Sequence, residues 1–361
     1  MKKVSCLIFS LVFILICSTY VESKIFVKDV ELVDIIVFND FKYKNLKDEF
    51  LTQVGIDTDY VTIFKNNQKV TEDNYKKIVN EFENVLTYEY RDIFGKKVVK
   101  DRTVYIFSEN EFQKSVNINS KYKIKNVSVD TVYNDTSANR IFVGKVLTEP
   151  KFQENKDCYI LKLNRNNKII WGKMFENLKI NRFNKIINIS DDEYCLIASV
   201  YRNSEWTDGL VAKFDKDGNF IWDNCYGSSH IDDFKDVVAL NNGEIIILAE
   251  VSNGDGDVKV PITINNPLNM DLVLLKYDVD GNIIWQSSIS NKNDLMALKI
   301  MNDESRLIVF GEVFENLDGK IVRNLIISGF DMDGKRKFST VVNSPKEFDY
   351  NFAIWFSWNK F

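Results

Sequence analysis

Histidine is almost missing from this 361-residue chain: His230 is the single one. That count excludes a multi-histidine zinc site and a His-Glu-x-x-His helix. Cysteine is also sparse, with five in the whole chain, which excludes a disulfide-dense scaffold. No Cys-x-x-Cys occurs, and no cysteine pair has metal-ligand spacing. Positive charge is not in excess, since 47 Lys and Arg stand against 52 Asp and Glu. No basic stripe with interleaved aromatics exists, so a nucleic-acid partner is not expected. There is no Gly-x-Gly-x-x-Gly, no P-loop and no Gly-x-Ser-x-Gly elbow. No cofactor is expected.

What is present is a globular composition, 45% apolar and 27% charged. Lys2 and Lys3 precede an apolar run from Cys6 to Cys17, and Val21 and Ser23 fit small-residue cleavage after Ser23. Residues 1–23 therefore read as a signal peptide, and the chain as exported: secreted, periplasmic or bound to the cell envelope. Two alternatives stand beside this, an uncleaved anchor and a lipoprotein signal with Cys17 lipidated. Membrane attachment is expected only through that signal or lipid. No second apolar run reaches membrane length. Cleavage leaves Cys158, Cys195 and Cys225, an odd count that allows at most one internal bridge.

Residues 24–110 read as a small α+β module. Ile35–Phe38, Val61–Phe64 and Arg102–Phe107 have strand character. Thr71 sits where an N-cap should sit, and Tyr75, Ile78, Val79, Phe82, Val85 and Leu86 follow at 3 and 4 spacing. That stripe predicts a helix of about five turns. Asn80-Glu81-Phe82, Phe94-Gly95 and Val104-Tyr105-Ile106-Phe107 resemble the region before the zinc site of some secreted bacterial metallopeptidases. The zinc motif that would follow is absent, so the resemblance implies no catalytic part.

Residues 111–343 carry the strongest signal, an internal repeat. Asp208-Gly-Leu-Val-Ala-Lys-Phe-Asp-Lys-Asp-Gly-Asn-Phe-Ile-Trp222 matches Asp271-Leu-Val-Leu-Leu-Lys-Tyr-Asp-Val-Asp-Gly-Asn-Ile-Ile-Trp285. An earlier copy runs from Asp157 to Trp171 and a later one from Asn324 to Phe338. Each reads as a hairpin in which Asp215, Asp278 or Asp331 opens the turn. Gly218, Gly281 or Gly334 supplies a positive φ there. Trp171, Trp222, Trp285 and Phe338 place one large aromatic at the same point of each unit. A second hairpin precedes each copy, with Gly144, Ala198, Ala249 and Gly311 at one equivalent, always small position. That position predicts close strand or sheet approach. Cys195 aligns with Ile246 and Ile308, so it reads as a core thiol. Residues 253–270 are an inserted surface loop.

Two hairpins per unit of about 50 residues is the size of a propeller blade. The expected fold is mainly β: a β-propeller-like array of four, or five, four-stranded blades behind the α+β module. Residues 344–361 alternate Phe348, Tyr350, Phe352, Ile354, Phe356 and Trp358, the pattern of a closing or capping strand. An open stack is the alternative to a ring. The units resemble secreted bacterial propeller-like repeats of the Asp-x-x-Gly-Asn-x-x-Trp type, which look related to quinoprotein-like repeats. The first copy departs at Asn166-Asn167, and the fourth lacks the Trp. No quinone-binding residue carries over.

Functional chemistry is thin. The turn carboxylates Asp215, Asp217, Asp278, Asp280, Asp331 and Asp333 are too few per turn for calcium, and turn stabilisation is their expected role. Asn253-Gly-Asp-Gly-Asp257 is a second possible cation loop. Gly227-Ser-Ser-His-Ile-Asp-Asp233 holds Ser, His and Asp, but a triad needs a hydrogen-bond chain in space. The expected function is an exported, non-enzymatic binding or cell-envelope structural protein whose partner is a protein or a glycan. The alternative is a hydrolase of extracellular or surface polymers with paired carboxylates.

Overall fold

The computed structural model describes residues 34–47, 61–91, 97–118, 122–149, 157–175, 179–202, 206–263, 269–303, 305–317 and 320–343. The signal segment, Cys17 and residues 344–361 lie outside the described residues. The chain divides into two compact units between Ile106 and Phe107.

In the first unit the elements are β1 (Asp34–Phe38), α1 (Tyr43–Leu46), β2 (Thr62–Lys65), β3 (Gln68–Val70), α2 (Tyr75–Ile78), β4 (Glu83–Arg91) and β5 (Lys97–Phe107). Their strands lie in the order β3-β2-β4-β5-β1. Asn66 and Asn67, at φ of 51° and 63°, make the tight turn between β2 and β3. Ile63, Val70, Leu86, Tyr88 and Val104 form the core, and the Tyr88 hydroxyl donates to the Leu46 carbonyl at 2.8 Å.

The five-turn helix predicted from Thr71 to Leu86 does not form. α2 is a single turn, and its N-cap is Asn74 rather than Thr71. The Thr71 N–H instead donates to Asn74 Oδ1 at 2.8 Å. The helical turn ends at Ile78, and Asn84 fastens the start of β4. Its Nδ2 donates to the Glu81 carbonyl at 2.7 Å, and its Oδ1 accepts from Lys65 Nζ at 2.8 Å. These bonds compete with a helical backbone for the same groups. Beyond Asn84, Leu86, Tyr88 and Tyr90 point inward while Val85 is exposed, a period of two. Of the 3-and-4 stripe, Tyr75 and Ile78 stay in the helical turn, while Val85 and Leu86 lie in β4, whose β-branched and aromatic residues favour the pleated form.

The second unit opens with α3 (Glu109–Ser115), capped by Ser108, whose side chain accepts from the Glu111 N–H. Sixteen strands follow in four antiparallel sets. The first is β6 (Lys123–Asn134), β7 (Arg140–Glu149), β8 (Asp157–Leu163) and β9 (Ile169–Phe175). The second is β10 (Ile180–Ser190), β11 (Glu193–Tyr201), β12 (Thr207–Asp215) and β13 (Phe220–Tyr226). The third is β14 (Asp232–Ala239), β15 (Ile245–Val251), β16 (Asp271–Tyr277) and β17 (Ile283–Ile289). The fourth is β18 (Asp294–Asn302), β19 (Arg306–Leu317), β20 (Lys320–Asp331) and β21 (Arg336–Val342). Within each set, sequence order is spatial order. The result is a mainly β, repeat-type architecture that resembles propeller folds. Consecutive sets pack face to face through their first strands, β10 against β6 and β14, and β14 against β18. Apolar side chains fill each contact, as where Ile246, Leu248, Leu272 and Leu274 meet Leu295, Ile300, Leu307 and Val309.

One irregularity recurs in every set. The first strand carries a bulge between Val129 and Thr131, Phe183 and Lys185, Phe234 and Asp236, and Ala297 and Lys299. Directly opposite stand Gly144, Ala198, Ala249 and Gly311. A bulge bends the strand and pushes backbone toward its neighbour. A β-carbon on Gly144 would collide with the Ser128 carbonyl oxygen, and one on Gly311 would lie 2.8 Å from the Met296 carbonyl oxygen. The small residue is thus the counterpart of the bulge. Gly144→Ala is expected to lower stability by about 2 kcal/mol, an overpacking cost. Ala198→Gly is expected to cost about 1–2 kcal/mol, from chain entropy and the loss of a buried methyl. Denaturant unfolding of the two variants checks this; an unchanged midpoint for Gly144→Ala would contradict it.

Candidate functional site

The signature residues come together across units, not within them. Trp171 on β9 donates its indole N–H to the Lys216 carbonyl, in the turn after β12, at 2.7 Å. Trp222 on β13 donates to the Val279 carbonyl at 2.8 Å, and Trp285 on β17 to the Met332 carbonyl at 3.2 Å. Each ring also lies on the turn glycine of the following unit. A β-carbon on Gly218, Gly281 or Gly334 would lie 2.8, 2.8 or 2.7 Å from Trp171, Trp222 or Trp285. These glycines also have φ of +79°, +88° and +79°. Glycine is required twice, for conformation and for room. The Phe338 ring lies instead beside Gly329 of its own set and is largely exposed.

The turn carboxylates are occupied by their own turns. Asp215 Oδ1 accepts from the N–H groups of Asp217 and Asn219 at 2.9 and 2.8 Å, and its Oδ2 accepts from Asn219 Nδ2. Asp278 repeats the pattern with Asp280 and Asn282. In the last unit Asp331 accepts from the Lys335 N–H at 2.8 Å and pairs with Lys337 at 2.6 Å. Bonds from Asn219 hold Asp215 below the usual carboxylate range, and bonds from Asn282 do the same for Asp278. Among the described residues, no group of three or more His, Cys, Asp or Glu side chains is arranged to hold a metal ion. Cys158 and Cys195 are buried free thiols and Cys225 is an exposed one.

A second, charged set of contacts ties the first strand of each following set to its neighbour. Lys185 pairs with Asp236, and Asp236 Oδ2 also accepts from the Ile300 N–H at 2.9 Å. Glu250 pairs with Lys235 at 3.0 Å and accepts from the Ala297 N–H at 2.8 Å. These carboxylates reach the backbone of the next set beside its bulge, so they join units.

At the other end of β12 from its signature turn, Arg202 and Trp206 lie beside Gly227–Ile231 and the residues after Val251. Arg202 forks onto Asp208 Oδ2 at 3.0 and 2.7 Å and donates to the Ser228 carbonyl at 2.7 Å. Asp208 Oδ1 is buried and accepts no hydrogen bond. Asp232, also buried, accepts from the Ser228 N–H, from Ser228 Oγ at 2.9 Å and from the Ser252 N–H at 3.4 Å. Gly227 separates the two carboxylates. A β-carbon there would collide with Asp208 Oδ1 and lie 2.9 Å from Asp232 Oδ2. Burial pushes the Asp232 carboxyl up to about 6, against its serine bonds, and the Asp208 charge adds to the rise.

Above this pair the surface is polar and aromatic. Ser229 Oγ lies 2.8 Å from His230 Nδ1, and the Ser229 N–H donates to Asp255 Oδ1 at 2.7 Å. Asn253 Nδ2 donates to Ser229 Oγ at 2.9 Å and to Asp255 Oδ2 at 3.2 Å. The half-buried Trp206 ring stands 5.1 Å from the His230 ring. Serine and histidine do meet, but Asp255 binds the serine backbone and Asn253. The carboxylate-to-imidazole bond that orients a triad histidine is not among these contacts. Repeat comparison did not single out Asp208, Asp232 or Trp206 as a group, because Trp206 and Asp208 flank the start of β12 and Asp232 lies at the start of β14, 24 residues on from Asp208. Asp208 aligns with Asp271, which accepts from the Thr263 and Asn291 N–H groups at 2.5 and 3.2 Å, so this repeat position also fastens loops.

The Asp232 environment sets a pH dependence. A carboxyl raised in the folded state favours folding below its unfolded value near 4, and this contribution is lost as pH rises through 6. The wild type is therefore expected to lose about 2 kcal/mol of stability relative to Asp232→Asn between pH 4 and 7. Parallel unfolding curves with no pH-dependent gap would contradict this.

No protein-family model and no curated protein sequence matches the chain. Solved structures align with it only at low scores. A eukaryotic initiation factor aligns over 72% of this chain and 76% of its own, at TM-score 0.32 and 9% identity. A Synechocystis apocarotenoid oxygenase mutant aligns over 72% of each chain, at TM-score 0.35 and 7% identity. A thermostable family-43 glycoside hydrolase aligns over 64% of this chain and 75% of its own, at TM-score 0.33 and 8% identity. The three differ in what they are, and none transfers a function to this chain at such scores.

Proposed function

We propose that this chain is an exported β-repeat scaffold that binds a glycan through the loop surface formed by Trp206, Ser229, His230, Asn253 and Asp255. The observation that carries this reading is the aromatic ring set beside a hydroxyl, an amide and a carboxylate. Sugars present apolar ring faces and many hydroxyls, and this set offers a partner to each. Loops fixed on a rigid β framework are the usual place for recognition. Export rests on Lys2, Lys3 and the apolar run to Cys17, and attachment to the envelope would come through that segment or a lipid on Cys17.

A second reading, hydrolysis of an extracellular or surface polymer, has one observation in its favour. Asp208 and Asp232 flank Gly227 in different environments, one fixed by Arg202 and one raised to about 6. Two carboxyls held apart in this way can divide acid and base roles. Both are covered in the structure, so substrate would reach them only after the Gly227–His230 connection moved.

A glycan array probed with the full chain tests both readings. Binding is expected to fall about tenfold or more in Trp206→Ala, the loss of one anchoring aromatic. It is expected to survive in Asp232→Asn. Equal binding by Trp206→Ala and wild type would contradict the proposal. Release of new reducing ends by the wild type, abolished in Asp232→Asn, would establish the second reading in its place.

A further inference from the structure

The four sets of strands are not equivalent at the two ends of the array. In the third set, Ile246, Leu248, Leu272 and Leu274 face the fourth and are fully buried. The same face of the first set packs Ile141, Val143 and Ile160 against Tyr194, Leu196 and Phe214 of the second. In the fourth set the aligned residues are Ile308, Phe310, Leu325 and Ile327. They keep the apolar character, yet all four are only partly buried. β21 is exposed along its whole length, with Phe338 and Val342 open by 47% and 43%.

The other end of the array is closed. The back of the first set is covered by α3, whose Phe112 is fully buried and meets the Tyr159 ring at 5.3 Å, edge to face. A β-carbon on Gly172 would lie 2.9 Å from the Ser115 carbonyl oxygen, so helix and strand are in close contact. A fourth set cannot pack there as the others pack on one another. The unit-to-unit lock is also missing between these ends. The first turn has Asn167 where the glycine would be, and the last unit has Phe338 where the indole would be. Phe338 has no indole N–H to donate.

The chain continues directly from this uncovered face. After Asn343 come 18 residues in which Phe348, Tyr350, Phe352, Ile354, Phe356 and Trp358 alternate with other residues. Such a period of two gives a strand one continuous apolar face. At about 3.3 Å per residue the segment is much longer than β21, so it can turn back and run along the open face. We propose that residues 344–361 cover Ile308, Phe310, Leu325 and Ile327, and cap the array in place of a fifth unit or ring closure onto the first set. This cap at one end would be the counterpart of α3 at the other, as stacked repeats require polar-backed terminal caps.

Cysteine labelling in a Cys225→Ser background tests the cap. Leu325→Cys lies on the face, and Ile321→Cys, at a residue open by 58%, is the exposed control. In the full chain, Leu325→Cys is expected to react about tenfold or more slowly than the control. Ending the chain after Asn343 should speed the labelling of Leu325→Cys several-fold and leave the control unchanged. A second full-length variant, Phe352→Asp with Phe356→Asp, should also release the protection, and it serves if the shortened chain does not fold. Labelling of Leu325→Cys as fast as the control in the full chain would overturn the proposal. So would protection that persists in both altered chains, or protection that rises with protein concentration, which would assign the face to a second copy.

Discussion

An indole of one unit resting on a glycine turn of the next is the contact on which the repeat array depends. A four-stranded sheet with two apolar faces has no stable existence alone; it must be stacked, and stacked in register. Apolar packing is non-directional and would tolerate sliding between sheets. The Trp lock does not. The indole N–H has one acceptor, the carbonyl of the second turn residue, and the ring fits only where the turn residue has no side chain. Direction follows from the same geometry, because donor and acceptor belong to different units and always point the same way along the chain.

The first strands supply a second registration. Their bulges disturb the ladder, and the freed backbone N–H groups of Phe183 and Ile300 are taken by Asp130 and Asp236 of the neighbouring sets. Burial alone would hold Asp236 and Glu250 at a high cost, yet each has a lysine and a backbone donor. The array is therefore pinned on two lines, apolar and aromatic toward the last strands, charged toward the first. The remaining surface, the connections at the far end of the strands, is free to vary without loss of register. That is where Trp206, His230 and Asn253 gather.

Much of this architecture could be read from residues alone, because a repeat aligns equivalent positions four times. The hairpins, the turn glycines and the small position opposite the bulge are all visible as columns. A column gives a position but not its partner. The partner of Trp222 lies 57 residues on, and only the two departures hinted at it: the first unit lacks the glycine and the last lacks the tryptophan. The Asp208–Asp232 pair was hidden for a related reason. Both residues are ordinary in sequence, and their proximity depends on Gly227 leaving space between connections. The false helix from Thr71 to Leu86 has a different origin. Its first residues do make one helical turn, Tyr75–Ile78, but from Glu83 on the alternation of Leu86, Tyr88 and Tyr90 follows the strand period, and Asn84 fastens that strand's start to Lys65 and Glu81.

The most direct test of the central contact is a double-mutant cycle between Trp222 and Gly281, read by equilibrium unfolding. Trp222→Ala and Gly281→Ala each break the same lock, so in the Trp222→Ala background Gly281→Ala should cost only the strain of its positive φ. A coupling of about 1 kcal/mol or more is predicted, against near-additivity for the unpaired combination of Trp222→Ala with Gly334→Ala. Additive losses for Trp222 and Gly281 would contradict the claim that the indole and the turn glycine act as one interaction.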